Sequence, residues 1–258
     1  MTWGGIDAGR DCVDRCRGRA WCEHSARRAA MMNLRIAVTM AFACLALSAA
    51  MLWAQQAVSF KTRDGWMIHG EVHGTGDRGV VLVHGGRFTK ESWRPQAEQL
   101  VGAGFRVLAI DMRGYGASRE GPKELNPGDG SPLDVLAAVR WLHGSGARSV
   151  SVIGGSMGAD AAAGASIEAR PGEIDALILL AGYADQPPEK LKGRKLFVVT
   201  QDDANAAGLR LPRIRKQYEA AGDPKELLIL EGAAHAQFIF ETAQGTQLMQ
   251  EILRFLRK

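Results

Sequence analysis

The sequence predicts an α/β fold in which helices cover both faces of a mostly parallel sheet. Beyond about residue 57, short strand-like runs alternate with helix-like segments, which is the pattern of layered α/β domains. The strand-like runs are almost continuously apolar, as is typical of parallel strands that are buried on both faces. The chain has 258 residues, 46% of them hydrophobic, which is enough for one well-buried domain.

The predicted elements follow one another in a regular order. The first two β-like runs flank Asp64-Gly65, a strong hairpin signal, and this hairpin is predicted as the antiparallel edge of an eight-stranded sheet. The predicted strands are Val58–Thr62, Trp66–His73, Gly79–Val83, Phe105–Ile110, Ser149–Ile153, Ala176–Leu180, Leu196–Thr200 and Leu227–Leu230. Helices are predicted around Ser92–Gly102, Leu133–His143, Met157–Arg170, Pro212–Ala221 and Gln247–Leu256.

Charge and cysteine content exclude several classes of function. The formal net charge is +4, and residues 1–54 hold 7 of the 32 Lys and Arg and 4 of the 28 Asp and Glu. The remainder, with 25 basic and 24 acidic residues, is nearly neutral and has no basic stripe, so we expect no nucleic-acid partner. The cysteines, all upstream of this remainder, are Cys12, Cys16, Cys22 and Cys44. The predicted domain therefore has neither a thiol nucleophile nor a disulfide.

The first 54 residues form two segments that precede the predicted domain, residues 55–258. Residues 1–30 are rich in Arg and Cys and lack an apolar period, so we interpret them as a non-native or disordered extension. Residues 31–54 carry a short basic flank, the apolar run Ile36–Trp53 and small residues, which predict a secretory signal and a periplasmic or secreted protein. The alternative is an uncleaved anchor that tethers the protein to a membrane through residues 36–53.

A glycine-flanked serine lies between a predicted strand and a predicted helix, in Gly154-Gly155-Ser156-Met157-Gly158. A sharp strand-to-helix turn presents its central side chain at the edge of the sheet and requires very small residues two positions before and after it. The helix that begins at Met157 also directs its dipole toward charge that develops beside Ser156. We therefore predict that Ser156 is a nucleophile.

A histidine and a carboxylate complete the predicted site. His235 lies in the loop after the last predicted strand, at the same sheet edge as Ser156, where its imidazole can act as the base. The carboxylates that follow the predicted strand Leu196–Thr200 lie at the same sheet edge, and they fall between these two residues in the chain. Asp203 is the preferred acid, and Asp202 and Asp185 are the alternatives.

The third predicted strand ends in His84-Gly85-Gly86-Arg87. The glycines allow backbone N–H groups to face a cavity. The amide of Gly86 or Arg87 is therefore predicted to pair with the amide of Met157 as an oxyanion hole. His84 itself is interpreted as structural. No cofactor and no metal are implied by these residues.

Five motifs in this order resemble those of the α/β-hydrolase family, from about Val58 to the C-terminus. They are Asp64-Gly65, Val81-Leu82-Val83-His84-Gly85-Gly86, Asp111-x-Arg113-Gly114-Tyr115-Gly116-x-Ser118, Gly154-Gly155-Ser156-Met157-Gly158 and Gly232-x-x-His235. Two departures stand out. The usual Gly-x-x-Asp acid motif is here Thr200-Gln201-Asp202-Asp203, and the stretch Ala181–Lys195 is too short for the cap domain that the family usually inserts.

The residues and the resemblance together predict a serine hydrolase. It would cleave a small-molecule carboxylic ester, or an amide, through an acyl-enzyme formed on Ser156. An uncapped, open site favours an accessible substrate with a short or polar acyl group. The alternatives are an acyltransferase or a peptidase with the same three residues, and a catalytically silent binding protein on the same fold.

Overall fold

The computed structural model describes residues 55–122, 131–182 and 187–258, and within them a sheet of eight strands. Two further strands form a separate two-stranded hairpin. In chain order the ten strands are β1 (Gln56–Lys61), β2 (Met67–His73), β3 (Arg78–Val83), β4 (Phe105–Ile110), β5 (Ser149–Gly155), β6 (Ala176–Leu180), β7 (Arg194–Thr200), β8 (Ala204–Asn205), β9 (Gly208–Leu209) and β10 (Lys225–Leu230).

The large sheet has the strand order β1-β2-β4-β3-β5-β6-β7-β10. Only the pairs β1–β2 and β2–β4 are antiparallel, and all other neighbours in this sheet are parallel. The predicted mostly parallel sheet with an antiparallel N-terminal hairpin is therefore confirmed. The hairpin turn at Asp64-Gly65 has the positive φ that such a turn requires, 94° at Gly65.

Helices lie on both faces of the sheet, as predicted. The α-helices are α1 (Arg94–Gly102), α2 (Ser131–Gly144), α3 (Met157–Glu168), α4 (Leu211–Ala220) and α5 (Gly245–Leu256), and short 3₁₀ helices span Lys90–Trp93, Pro188–Lys190 and Ala236–Glu241. None of the helices in the described ranges is long and apolar enough to cross a membrane. Residues 1–54, and with them the predicted extension and signal segment, lie outside the described residues, as does Asp185.

The core consists of two apolar clusters, one on each face of the sheet. Successive residues of β3 alternate between them: Val81 and Val83 belong to the cluster under α2, α3 and α4, and Val80 and Leu82 to the cluster under α1 and α5. All four side chains are completely buried. Each fully buried aliphatic side chain contributes roughly 1.5–3 kcal/mol, so the continuous apolar runs have a direct energetic reason.

Parallel strands bring four loops to one edge of the sheet. The loop after β3, the turn after β5, the loop after β7 and the loop after β10 all start at carboxyl ends of strands. The connection from β6 to β7 covers only residues 181–193, which leaves no room for a cap domain at this position. The β8–β9 hairpin, directly after Asp203, was not expected from the sequence.

Candidate active site

The turn between β5 and α3 holds Ser156 in an uncommon backbone conformation. Its φ is 52° and its ψ is −116°, in a region that costs a non-glycine residue roughly 1–3 kcal/mol. The Ser156 amide donates to the Leu180 carbonyl at 2.8 Å and so anchors the turn to β6. The half-buried side chain is presented at the sheet edge, and the helix that follows begins at Met157.

The two flanking glycines allow the backbone segments to approach each other closely. A Cβ atom on Gly154 would collide with the carbonyl oxygen of Gly158, and a Cβ atom on Gly158 would collide with the Val83 carbonyl oxygen of β3. Both obstacles are backbone atoms, which cannot move aside as a flexible side chain can. The spacing of the glycines is therefore required by the packing of this turn against α3 and β3.

His235 reaches Ser156 from the loop after β10. Its Nε2 lies 2.8 Å from Ser156 Oγ, although the two residues are 79 positions apart in the chain. The ring is half-buried, and the residue directly after it, Ala236, has a φ of 50°. The backbone therefore turns sharply after the histidine, and the ring is presented to the serine.

Asp203 binds the other ring nitrogen of the histidine. Its Oδ2 lies 2.8 Å from His235 Nδ1, and the residue is only 1% exposed. The neighbouring Asp202 is exposed, and its amide donates to the Gly232 carbonyl at 2.9 Å. Of the two carboxylates described in this loop, the structure thus brings only Asp203 to His235.

Arg210 also lies next to Asp203, and sequence reasoning missed it. Its Nε lies 3.2 Å from Asp203 Oδ1, close enough for an ion pair although the two atoms are not aligned as a hydrogen bond. The Arg210 amide donates to the Asp203 carbonyl at 2.8 Å, across the base of the β8–β9 hairpin. The hairpin returns the chain to Asp203 and places a cation against the carboxylate oxygen that does not bind the histidine.

The predicted oxyanion residues lie beside the serine. A Cβ atom on Gly85 would be 3.5 Å from Ser156 Cβ, and one on Gly86 would be 3.7 Å from Met157 Sδ. The Gly85 amide donates to the side chain of Gln237, whereas the amides of Gly86 and Met157 have no hydrogen-bond acceptor among the described residues. The amide of Arg87, the alternative to Gly86, also has no hydrogen-bond acceptor among the described residues, and its side chain is exposed.

His84 stabilises the loops beside the site through hydrogen bonds. The ring is completely buried, its Nδ1 donates to the Gly85 carbonyl at 2.9 Å, and its Nε2 accepts the Met112 amide at 3.1 Å. Burial lowers the pKa of His84, which matches a neutral ring with one donor and one acceptor. In the described part of the chain no three His, Cys, Asp or Glu side chains are grouped so that they could hold a metal ion.

The structure thus places Ser156, His235 and Asp203 in series, joined by an Oγ–Nε2 contact and an Nδ1–carboxylate contact, at one edge of a sheet that has helices on both faces. A family model described as alpha/beta hydrolase fold matches residues 79–240, more than half of the chain. The chain belongs to the α/β-hydrolase family.

Two of the curated relatives are named as hydrolases, and each shares only part of its length with this chain. The chain is 31% identical over 135 residues to the 2-hydroxy-6-oxononadienedioate/2-hydroxy-6-oxononatrienedioate hydrolase of Cupriavidus pinatubonensis, which is 48% of this chain and 45% of that protein. It is 59% identical over 39 residues to epoxide hydrolase B of Mycobacterium tuberculosis, or 15% of this chain and 11% of that enzyme. The chain thus spans less than half the length of these relatives.

Solved structures show the same fold. The Pyrococcus furiosus esterase Pf2001 superimposes with a TM-score of 0.67 and 21% sequence identity, over 81% of this chain and 94% of that one. The esterase EaEST from Exiguobacterium antarcticum has a TM-score of 0.63 and 15% identity, over 79% of this chain and 100% of that one. At these identities the likeness extends to the fold alone.

Proposed function

We propose that this protein is a serine hydrolase that cleaves a carboxylic ester through an acyl-enzyme formed on Ser156. The observation that carries the proposal is the pair of 2.8 Å contacts that joins Ser156 Oγ, the two ring nitrogens of His235 and Asp203 Oδ2. Nδ1–H donates to the carboxylate, which leaves Nε2 free to accept the serine proton. Membership in the α/β-hydrolase family supports the reaction class.

In the first half of the reaction Ser156 Oγ attacks the ester carbonyl carbon while His235 Nε2 takes the hydroxyl proton. The negative charge that develops on the carbonyl oxygen is stabilised by the amides of Met157 and Gly86. Asp203 keeps the ring in the required tautomer and stabilises the imidazolium. Nε2 then gives its proton to the departing alcohol oxygen, the C–O ester bond breaks, and the acyl group remains on Ser156.

In the second half water replaces the alcohol. His235 takes a proton from the water, whose oxygen attacks the acyl carbon, and the carboxylic acid leaves as Ser156 Oγ regains the proton. The short β6–β7 connection leaves the site without a cap at that position, which supports an accessible small-molecule ester with a short or polar acyl group. No step requires a cofactor.

Covalent labelling of the purified full-length protein with a fluorophosphonate probe tests the proposal, together with turnover of p-nitrophenyl acetate and butyrate. We expect both signals from the wild type and neither from Ser156→Ala or His235→Ala. Ser59→Ala, an exposed serine on β1, is the matched control and should retain both. A folded wild-type protein that shows neither labelling nor turnover would favour a catalytically silent binding protein.

The same assay separates the remaining alternatives. A p-nitroanilide peptide that is cleaved faster than the ester would indicate a peptidase. Formation of a new ester when an alcohol is added, faster than hydrolysis, would indicate an acyltransferase.

We also propose that the protein is exported, on the basis of the basic flank and the apolar run Ile36–Trp53. Fractionation of bacteria that express the full chain, followed by N-terminal sequencing, tests this. A processed protein in the periplasm or medium supports a cleaved signal. An intact chain in the membrane fraction supports the tether, and an intact chain in the cytoplasm contradicts export.

A further inference from the structure

Gln237 is a buried amide at the centre of the proposed site. It lies two residues after His235, in the 3₁₀ helix Ala236–Glu241, and only 6% of it is exposed. A buried side-chain amide is costly unless both its oxygen and its nitrogen find partners. The partners of Gln237 therefore indicate what the residue does.

Both ends of the amide bind the loop between β3 and α1. The Gly85 amide donates to Gln237 Oε1 at 2.7 Å, and Gln237 Nε2 donates to Ser92 Oγ at 2.8 Å. The Ser92 hydroxyl in turn donates to the Thr89 carbonyl at 2.6 Å. One side chain from the loop after β10, which carries His235, thus binds both Gly85 and Ser92, the two ends of the segment that contains Gly86.

Gln237 also packs against the turn between β5 and α3, which carries Ser156. A Cβ atom on Gly155 would lie 3.2 Å from both Cγ and Oε1 of Gln237, and one on Gly85 would lie 3.5 Å from Oε1. The segments that carry Ser156, His235 and Gly86 therefore converge on this one amide. Oε1 accepts the Gly85 amide, and the next amide along the chain, that of Gly86, has no acceptor among the described residues.

Two aromatic contacts join the same two segments. The ring centroids of Phe88 and Phe238 are 5.0 Å apart, and those of Trp93 and Phe240 are 6.0 Å apart. Such packing holds the loops together but does not orient a backbone amide to within the few tenths of an ångström on which an oxyanion hole depends. Among the described residues, the hydrogen bonds between these loops are the two of Gln237.

We propose that Gln237 is a positioning residue that sets the orientation of the Gly86 amide relative to Ser156 and His235. This inference rests on the acyl-enzyme mechanism proposed above. Gln237 acts through Gly85 and Ser92, not on the substrate. Removal of its hydrogen bonds should therefore weaken binding of the transition state while binding of the ground-state ester is retained.

Gln237→Met tests the inference, because it keeps the length of the side chain and removes both hydrogen bonds. With p-nitrophenyl butyrate we expect kcat to fall about 10- to 100-fold, somewhat less than when an oxyanion donor is deleted, with KM within about threefold. A trifluoromethyl ketone, whose serine adduct places an oxyanion in the same hole, should bind more weakly by the same factor as kcat/KM falls. Gln96→Met, a buried glutamine of α1, is the matched control and should leave kcat unchanged.

Ser92→Ala is the second variant, since it removes only the outer partner and leaves the histidine loop intact. We expect a smaller fall in kcat, about two- to fivefold, with a parallel rise in the inhibition constant of the ketone. The inference is overturned if either folded variant keeps the wild-type kcat. It is also overturned if kcat falls while the affinity for the ketone is unchanged. A wild type that is neither labelled nor active would instead contradict the proposed hydrolase function.

Discussion

Asp202 and Asp203 are neighbours in the chain but have opposite environments. Asp203 is buried between His235 and Arg210, whereas Asp202 faces solvent. A carboxylate that holds an imidazole in one tautomer must lie at hydrogen-bond distance from Nδ1, and only Asp203 meets this condition among the described candidates. At the scale of single residues, the proposed roles therefore differ for two side chains of the same chemical type.

Asp203→Asn should abolish most of the activity and leave the fold intact. The amide can donate to Nδ1 and so favours the tautomer whose Nε2 carries the proton and cannot accept one from Ser156. By analogy with other Ser-His-Asp sites we expect kcat to fall about 10⁴-fold. Asp202→Asn, the matched control, should stay within about twofold of the wild type, as measured by steady-state ester hydrolysis. Equal losses in the two variants would contradict the assignment of the acid.

At the scale of elements, the helices are tied together by a buried carboxylate. Glu173, in the loop after α3, accepts from Arg140 Nε of α2 at 2.8 Å and from the Arg170 amide at 2.8 Å. The Glu173 side chain is 5% exposed, but the side chains of Arg140 and Arg170 are 42% and 78% exposed. The hydrogen bond from Arg140 lowers the pKa of Glu173 to about 2. The ionised form is thus much preferred in the folded protein.

Glu173→Gln should lower the free energy of unfolding by about 1–2 kcal/mol at pH 7, after allowance for solvent screening of the exposed arginines. The folded pKa lies below the ordinary value of 4.5, so this stability is present above pH 4.5 and is lost as the pH falls toward 2. Urea titrations of both proteins between pH 3 and 7 measure the difference. Glu168→Gln, from an exposed 3.7 Å pair with Arg63, should change stability by less than about 0.5 kcal/mol. If the difference in free energy of unfolding between the wild type and Glu173→Gln did not change with pH, the proposed role of the Glu173 carboxylate would be refuted.

At the scale of the whole molecule, one buried arginine connects distant parts of the chain. Arg113, 2% exposed, donates from Nη1 to Asp64 Oδ2 at 2.7 Å and from Nη2 to Asp134 Oδ1 at 2.7 Å. Asp64 lies in the β1–β2 turn, Arg113 in the loop after β4 and Asp134 in α2. Burial raises the pKa of Asp134, and the arginine opposes that effect. The buried carboxylate of Asp134 is therefore tolerated only while the guanidinium of Arg113 compensates its charge.

Arg113→Met should destabilise the protein by about 3–5 kcal/mol, because it leaves the fully buried Asp134 without a counter-ion. Chemical denaturation followed by circular dichroism measures the loss. Arg148→Met removes an exposed cation 3.5 Å from Asp77 and should cost less than about 0.5 kcal/mol. A loss below 1 kcal/mol in Arg113→Met would show that this network contributes little to the fold.

Local patterns predicted much of this protein from the sequence. Apolar runs placed β3 to β7 and β10 to within a few residues at each end, because strands that helices cover on both faces are largely apolar, and the Asp64-Gly65 turn placed β1 and β2. The Gly154-x-Ser156-x-Gly158 spacing predicted the turn after β5, because a sharp strand-to-helix turn requires very small residues at these two positions. The β8–β9 hairpin was missed, since strands of two residues are too short for any periodicity.

The sequence by itself indicated the family, the order of the strands along the chain and the candidate residues Ser156 and His235. Only the tertiary structure distinguished Asp203 from Asp202 as the partner of His235, because the loop after β7 takes its register from contacts with the loop after β10 and with Arg210. It also revealed Gln237, whose partner Gly85 is 152 positions away. Such contacts depend on the order of the strands in the sheet, which brings distant loops together. The spacing of residues along the chain does not predict them.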